Sequence, residues 1–241
     1  MPPAASILKD LRDGPKGRVP EIRNAYRFLR GAHSTVEGIL QAAELVARQR
    51  RVSNSSTAGR PSSGETDLYR SAIVMTSSGI DASMQRLIWD AGSYLIPRPG
   101  TLARKQYELG IKEELSGTRK VDEDLKAAVV AADPAQQLLR FYLSRKAKSS
   151  FQGSGDLKTR VRNTLGIPGT RVDDATLATL DRFFLSRNRI VHEMDYENVV
   201  RSEGRARRHR TRDEVVSMCN RAFLVTSDLV HATADVILAE R

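Results

Sequence analysis

An arginine set in the middle of an apolar helical stripe constrains this chain more than any other feature. In Leu180-Asp181-Arg182-Phe183-Phe184-Leu185-Ser186-Arg187-Asn188-Arg189-Ile190-Val191-His192-Glu193 the apolar residues recur at helical spacing. Phe183, Ile190 and Met194 form one flank, and Leu177, Leu180, Phe184 and Val191 the other. Arg187 falls between them. A guanidinium keeps its charge, and an unpaired one in an interior costs several kcal/mol. An anion must therefore meet it, from this chain, a second copy or a ligand. Asn188 lies one turn before His192, so an amide and an imidazole share a face.

The rest of the chain also reads at helical period, with no alternating strand pattern and no internal repeat, which predicts an all-α fold. Residues 1–17 read as a loose start, and a helix follows from Val19 to about Arg51, which Gly31 can interrupt. Residues 53–64 are rich in Ser, Gly and Thr and have linker composition, dividing an N-terminal arm (1–65) from a domain (66–241). Thr66 is placed to cap a long helix to about Ile96. Within it, Thr76-Ser77-Ser78-Gly79 allows close approach of another helix or a kink, and Asp81 is a candidate carboxylate partner for Arg187, with an exposed, solvated Asp as the alternative. Shorter helices are predicted over 101–116, 119–132, 135–148 and 157–165. Asp173 or Asp174 caps the Arg187 helix, and the chain closes in a helix over 213–239.

The formal net charge of +10 favours an acidic or phosphate-rich partner through long-range attraction, without specifying any chemistry. Arg201, Arg205, Arg207, Arg208, Arg210 and Arg212 crowd a polar loop that could follow RNA phosphates or be a solvated loop. Lys158, Arg160 and Arg162 read as a solvated helix face. A single cysteine, Cys219, rules out an internal disulfide framework and a multi-Cys zinc site, and reads as core. The four histidines lack ligand spacing, so no metal and no cofactor is expected. No signal peptide is visible, and no uncharged apolar segment approaches the roughly 20 residues that span a bilayer. The expected location is the cytoplasm, with no membrane partner.

Ser186-Arg187-Asn188-Arg189-Ile190-Val191-His192 resembles the signature of the HEPN superfamily: an Arg, usually a polar residue after it, and a His after about four to six intervening positions. The resemblance covers roughly 66–241 and is nearest the branch of ribonuclease L-PSP-associated HEPN domains. It departs from the pattern at Glu193, where a small residue often follows the His. It implies an up-and-down helical bundle with additional helices, acting on RNA as a homodimer with a composite site. It further implies metal-independent cleavage through 2′-OH attack, with Arg187, Asn188, His192 and Asp81 as catalytic residues. Arg189, Arg205, Arg207, Arg208 and Arg210 would then be RNA contacts. The role that fits is a toxin or antiviral defence effector held by a neutralising partner. Two readings of other classes stand beside it. One is a catalytically silent domain that binds RNA or dimerises, with Arg187 satisfied by Asp81 or Asp90. The other is an interaction module whose basic surface docks an acidic protein.

Overall fold

The computed structural model describes residues 6–14, 19–53, 61–116, 121–197 and 206–241. The fold is all-α. A 3-10 turn at Pro20–Ile22 leads into α1 (Arg23–Ser53), followed by α2 (Ser63–Leu95), α3 (Leu102–Ser116), α4 (Glu123–Val129) and α5 (Pro134–Ala147). A single turn, α6 (Ser154–Asp156), runs into a π-helical segment, Leu157–Arg162, and α7 (Asp174–Ala178), α8 (Asp181–Glu193) and α9 (Arg212–Ala239) complete the chain. Among the described residues the one extended pairing is an isolated antiparallel bridge between Tyr196 and Arg207.

Helices α1 and α2 pack antiparallel. At one end Ser83 Oγ donates to the Ala25 carbonyl at 2.9 Å; at the other Arg50 Nε meets Glu65 Oε1 at 2.6 Å. The small-residue run serves this pairing: a β-carbon on Gly79 would collide with Ala32 of α1. Gly31 does not interrupt α1, and the cap of α2 is Ser62 rather than Thr66. Ser62 and Glu65 form a reciprocal capping box, each side chain bonding the other's backbone N–H, which starts α2 earlier than the Thr66 reading.

Leu29, Val36 and Leu40 of α1 join one buried cluster with Ile80 and Leu87 of α2 and Phe223 and Leu229 of α9. Residues of the arm assigned to 1–65 therefore share a core with residues of 66–241; the assigned boundary at 65/66 falls inside α2, and linker positions 54–60 lie outside the described residues. Nor are residues 6–14 loose. Glu37 accepts from the Ile7 and Leu8 amides at 2.9 and 2.8 Å, and Asn220 Oδ1 accepts from Lys9 N at 2.8 Å. Helix α9 is long and apolar enough to cross a membrane by length and composition, yet Val215, Phe223, Val230 and Ile237 on it are buried in this core.

The helix carrying Arg187 begins later than expected. Asp173 caps α7, accepting from Thr176 N at 2.7 Å, and α8 starts afresh at Asp181. Its far end closes on two successive left-handed residues, Met194 (φ 51°) and Asp195 (φ 61°), with Asp195 N donating back to the Arg189 carbonyl at 3.0 Å.

Candidate active site

Helix α8 buries Phe183, Phe184, Ser186, Arg187 and Ile190 against the bundle and leaves the opposite side open. Arg187 is 8% exposed. Its Nη1 donates to Asn188 Oδ1 at 2.9 Å and to Gln152 Oε1 at 3.2 Å. Asp81, from the middle of α2, is the carboxylate it faces, but Nη2 stands 3.9 Å from Asp81 Oδ2, beyond hydrogen-bond reach. Asp81 Oδ1 instead accepts from the Phe151 backbone N at 2.8 Å. Burial pushes the Asp81 carboxyl above the usual range, against the pull of the Phe151 N–H and Arg187. Asp90 is excluded as a partner because it is engaged by Arg86 at 2.7 Å and by Asn24 at 3.1 Å.

Gln152 was not legible as a site residue. It reaches Arg187 because Arg160 shapes the loop after α5. Arg160 donates to the carbonyls of Lys146, Lys148, Ser149 and Ser150 at 2.8–3.2 Å and lies 4.2 Å over the Phe151 ring. Ser149 turns through φ 72° inside this cage. Phe151 and Gln152 are thereby delivered to Asp81 and Arg187. Arg160 is thus no solvated-face residue, and neither is buried Arg162, which donates to the Val172 carbonyl at 3.0 Å and pairs with Asp174 at 2.6 Å. Lys158 is more open and pairs with the same Asp174.

His192 is exposed and has no hydrogen-bond partner among the described residues. Five residues separate it from Arg187, which at 3.6 residues per turn places it about 140° round the helix. Within one copy the two side chains do not converge. Asn188 stands between them, bonded to Arg187 and about 40° from His192. Leu185, half exposed, lies about 20° from His192 round the helix on the open side of α8, and Val191, nearly half exposed, stands nearer the Arg187 side.

The expected RNA-binding arginines divide sharply. Arg210 is buried and chelates Asp195, Nη2 to Oδ1 at 2.8 Å and Nε to Oδ2 at 3.0 Å. Arg70 of α2 completes that site, Nε to Oδ2 at 2.9 Å, and the Asp195 side chain is fully buried. Burial pushes the Asp195 carboxyl up, but hydrogen bonds from Arg210 and Arg70 outweigh it and hold it below the usual range. Arg210 is therefore a structural ion and not a phosphate contact. Arg207 is tied to Asp67 at 2.6 Å and to the Met194 carbonyl at 2.9 Å. Arg208 bonds the Glu197 carbonyl loosely and is partly open, Arg189 is half-buried, and Arg205 lies outside the described residues, as does Arg201.

Cys219 is core: Thr76 Oγ1 donates to its Sγ at 3.3 Å and burial pushes the thiol up to about 11. Among the described residues no three His, Cys or carboxylate groups converge as a metal would require. No protein-family model, curated protein or solved structure matches the chain.

Proposed function

We propose that the chain is a HEPN-type endoribonuclease, cleaving RNA without a metal at a site shared between two copies. The observation that carries this reading is the state of Arg187. It is a buried guanidinium whose hydrogen bonds go to two neutral amides, with its nearest carboxylate at 3.9 Å. Its charge is incompletely neutralised, and Gln152 on an exposed loop is the group an arriving phosphate would displace.

In the reaction the ribose 2′-OH attacks the adjacent phosphorus while its proton passes to a base. The 5′ oxygen leaves with a proton from an acid, giving a 2′,3′-cyclic phosphate and a 5′-hydroxyl. Imidazole is the side chain suited to either transfer near neutral pH, and a fixed guanidinium stabilises the charge gathering on the phosphoryl oxygens. One copy offers one such histidine. A second copy laid across the open side of α8, with Leu185 as its apolar contact, would supply the other. Such an enzyme fits a toxin or defence effector held in check by a partner.

The separation of His192 from Arg187 within one copy favours, as a second reading, a catalytically silent HEPN-like domain that binds RNA. Purified parent, Arg187→Ala and His192→Ala proteins incubated with RNA in EDTA separate the two. Cleavage by the parent, lowered at least about a hundredfold by His192→Ala as loss of a general acid or base requires, supports the nuclease. Binding without cleavage by the parent supports the silent domain.

A further inference from the structure

Beyond the phosphate-facing residues, a cavity of about 450 Å³ opens between the first half of α2 and the end of α8. Its floor is Val74, Met75, Ile190 and Met194, and its rim carries Asp67 and Arg207. Two features set it apart. Met194 and Met75 are 59% and 37% exposed, so both long thioethers keep surface open to the cavity. Met194 also occupies the left-handed region at φ 51°, where glycine is the usual helix terminator and another residue is strained. That conformation is held in place: Arg207 Nε donates to the Met194 carbonyl, and the next residue is the buried Asp195 with its two arginines. The chain thus maintains a strained turn that presents a methionine at a pocket.

We infer that this pocket is a nucleobase subsite, taking one unpaired base of the RNA whose phosphate meets Arg187. The inference rests on the nuclease reading. Seven residues separate Met194 from Arg187, about 10 Å along the helix, a distance that a short single strand spans. Thioethers pack favourably against aromatic rings and adapt to different shapes, so the floor would accept any base face. The rim carries the guanidinium of Arg207 beside one carboxylate, Asp67, which suits the polar edge of a base more than an acidic or apolar peptide side chain.

The test uses the full chain carrying His192→Ala, so that RNA is bound without being cut, and a fluorescent single-stranded oligoribonucleotide followed by anisotropy at several salt concentrations. Adding Met194→Gly removes the pocket wall while suiting the left-handed turn, so the melting temperature does not fall. Affinity is expected to drop about two- to tenfold, with an unchanged slope of affinity against salt because no phosphate contact is lost. Met75→Ala repeats the test from the other helix. Unchanged affinity in both variants overturns the subsite. So does a loss that comes with an altered salt slope, or one that tracks a loss of dimer in ultracentrifugation, which would mean that a second copy fills the pocket. If the parent cleaves RNA and the pocket variants bind it as tightly as His192→Ala alone, the subsite alone fails; if the parent neither cleaves nor binds RNA, the nuclease reading fails and the subsite with it.

Discussion

Asp195 is the residue whose place in the sequence says least about its importance. It lies just past the end of α8, and its carboxylate accepts Arg70 from α2 and Arg210 from the chain leading to α9. Its backbone ties two of these parts: Asp195 N bonds the Arg189 carbonyl of α8, and Arg208 N, in the segment before α9, bonds the Asp195 carbonyl at 2.8 Å. Removing the charge takes the shared anion from two buried guanidiniums, leaving Arg70 with exposed Asp67 at 2.9 Å and Arg210 with Glu214 at 3.8 Å, a change that costs about 3–5 kcal/mol. Asp195→Ala should therefore lower the melting temperature by roughly 6–20 °C. The pH dependence has a definite sign. A carboxyl whose folded pKa is lowered stabilises the fold fully above its unfolded value, near 3.9, and that contribution is lost as pH falls through the folded value. The gap in stability between parent and Asp195→Asn, read by denaturant titration, should accordingly be widest near neutrality and shrink below about pH 4. A gap independent of pH would show that the carboxylate's charge is not what holds α8, α2 and the segment before α9 together.

Among the residues named from sequence, Arg187 and Asp81 face one another at 3.9 Å. Arg210 was misjudged, because a run of arginines looks the same whether its counter-ions lie in solvent or inside the fold. The partner of Arg210 is 15 residues away in a left-handed turn, and no local periodicity marks it.

At the level of elements, helical period carried most of the architecture. Helices α1, α2, α3, α5 and α9 lie where apolar spacing puts them, since each buries one continuous stripe. What spacing missed was where helices stop. α7 and α8 are separate because Leu180 tucks in as a buried hinge between them, while Asp173 can cap only the first. The loop after α5 was missed for a different reason: its order comes from one side chain, Arg160, reaching four carbonyls at once. Arg160→Ala should release that loop. Hydrogen exchange at the Phe151 and Gln152 amides, which bond Asp81 and Asp156 in the parent, should then rise severalfold or more, while exchange in the middle of α9 stays unchanged. If those amides stay as protected as before, the loop is held by Asp81 and Asp156 and Arg160 is incidental. The contact between α1 and α2 is a tighter constraint. Gly79→Ala drives a methyl into Ala32, and a loss of about 1–3 kcal/mol is expected in the same denaturant measurement.

Taken whole, the molecule is a basic helical bundle with a net charge of +10, yet its cationic side chains are largely engaged with its own acids and carbonyls. Under the proposed reading the charge would draw RNA near; the proposed chemistry depends on Arg187 and on a histidine that faces outward, so one copy presents only half of an acid–base pair. That is also why the site was only half legible: a motif names its residues, but whether two copies oppose them is a property of an assembly. The most direct measurement is end-group analysis of RNA incubated with the protein in EDTA over a wide range of protein concentration. The expected products carry 2′,3′-cyclic phosphate and 5′-hydroxyl ends, and the rate per chain falls as dilution separates the two copies. RNA left intact at every concentration, or products with 5′-phosphate ends, would contradict a shared Arg187–His192 site.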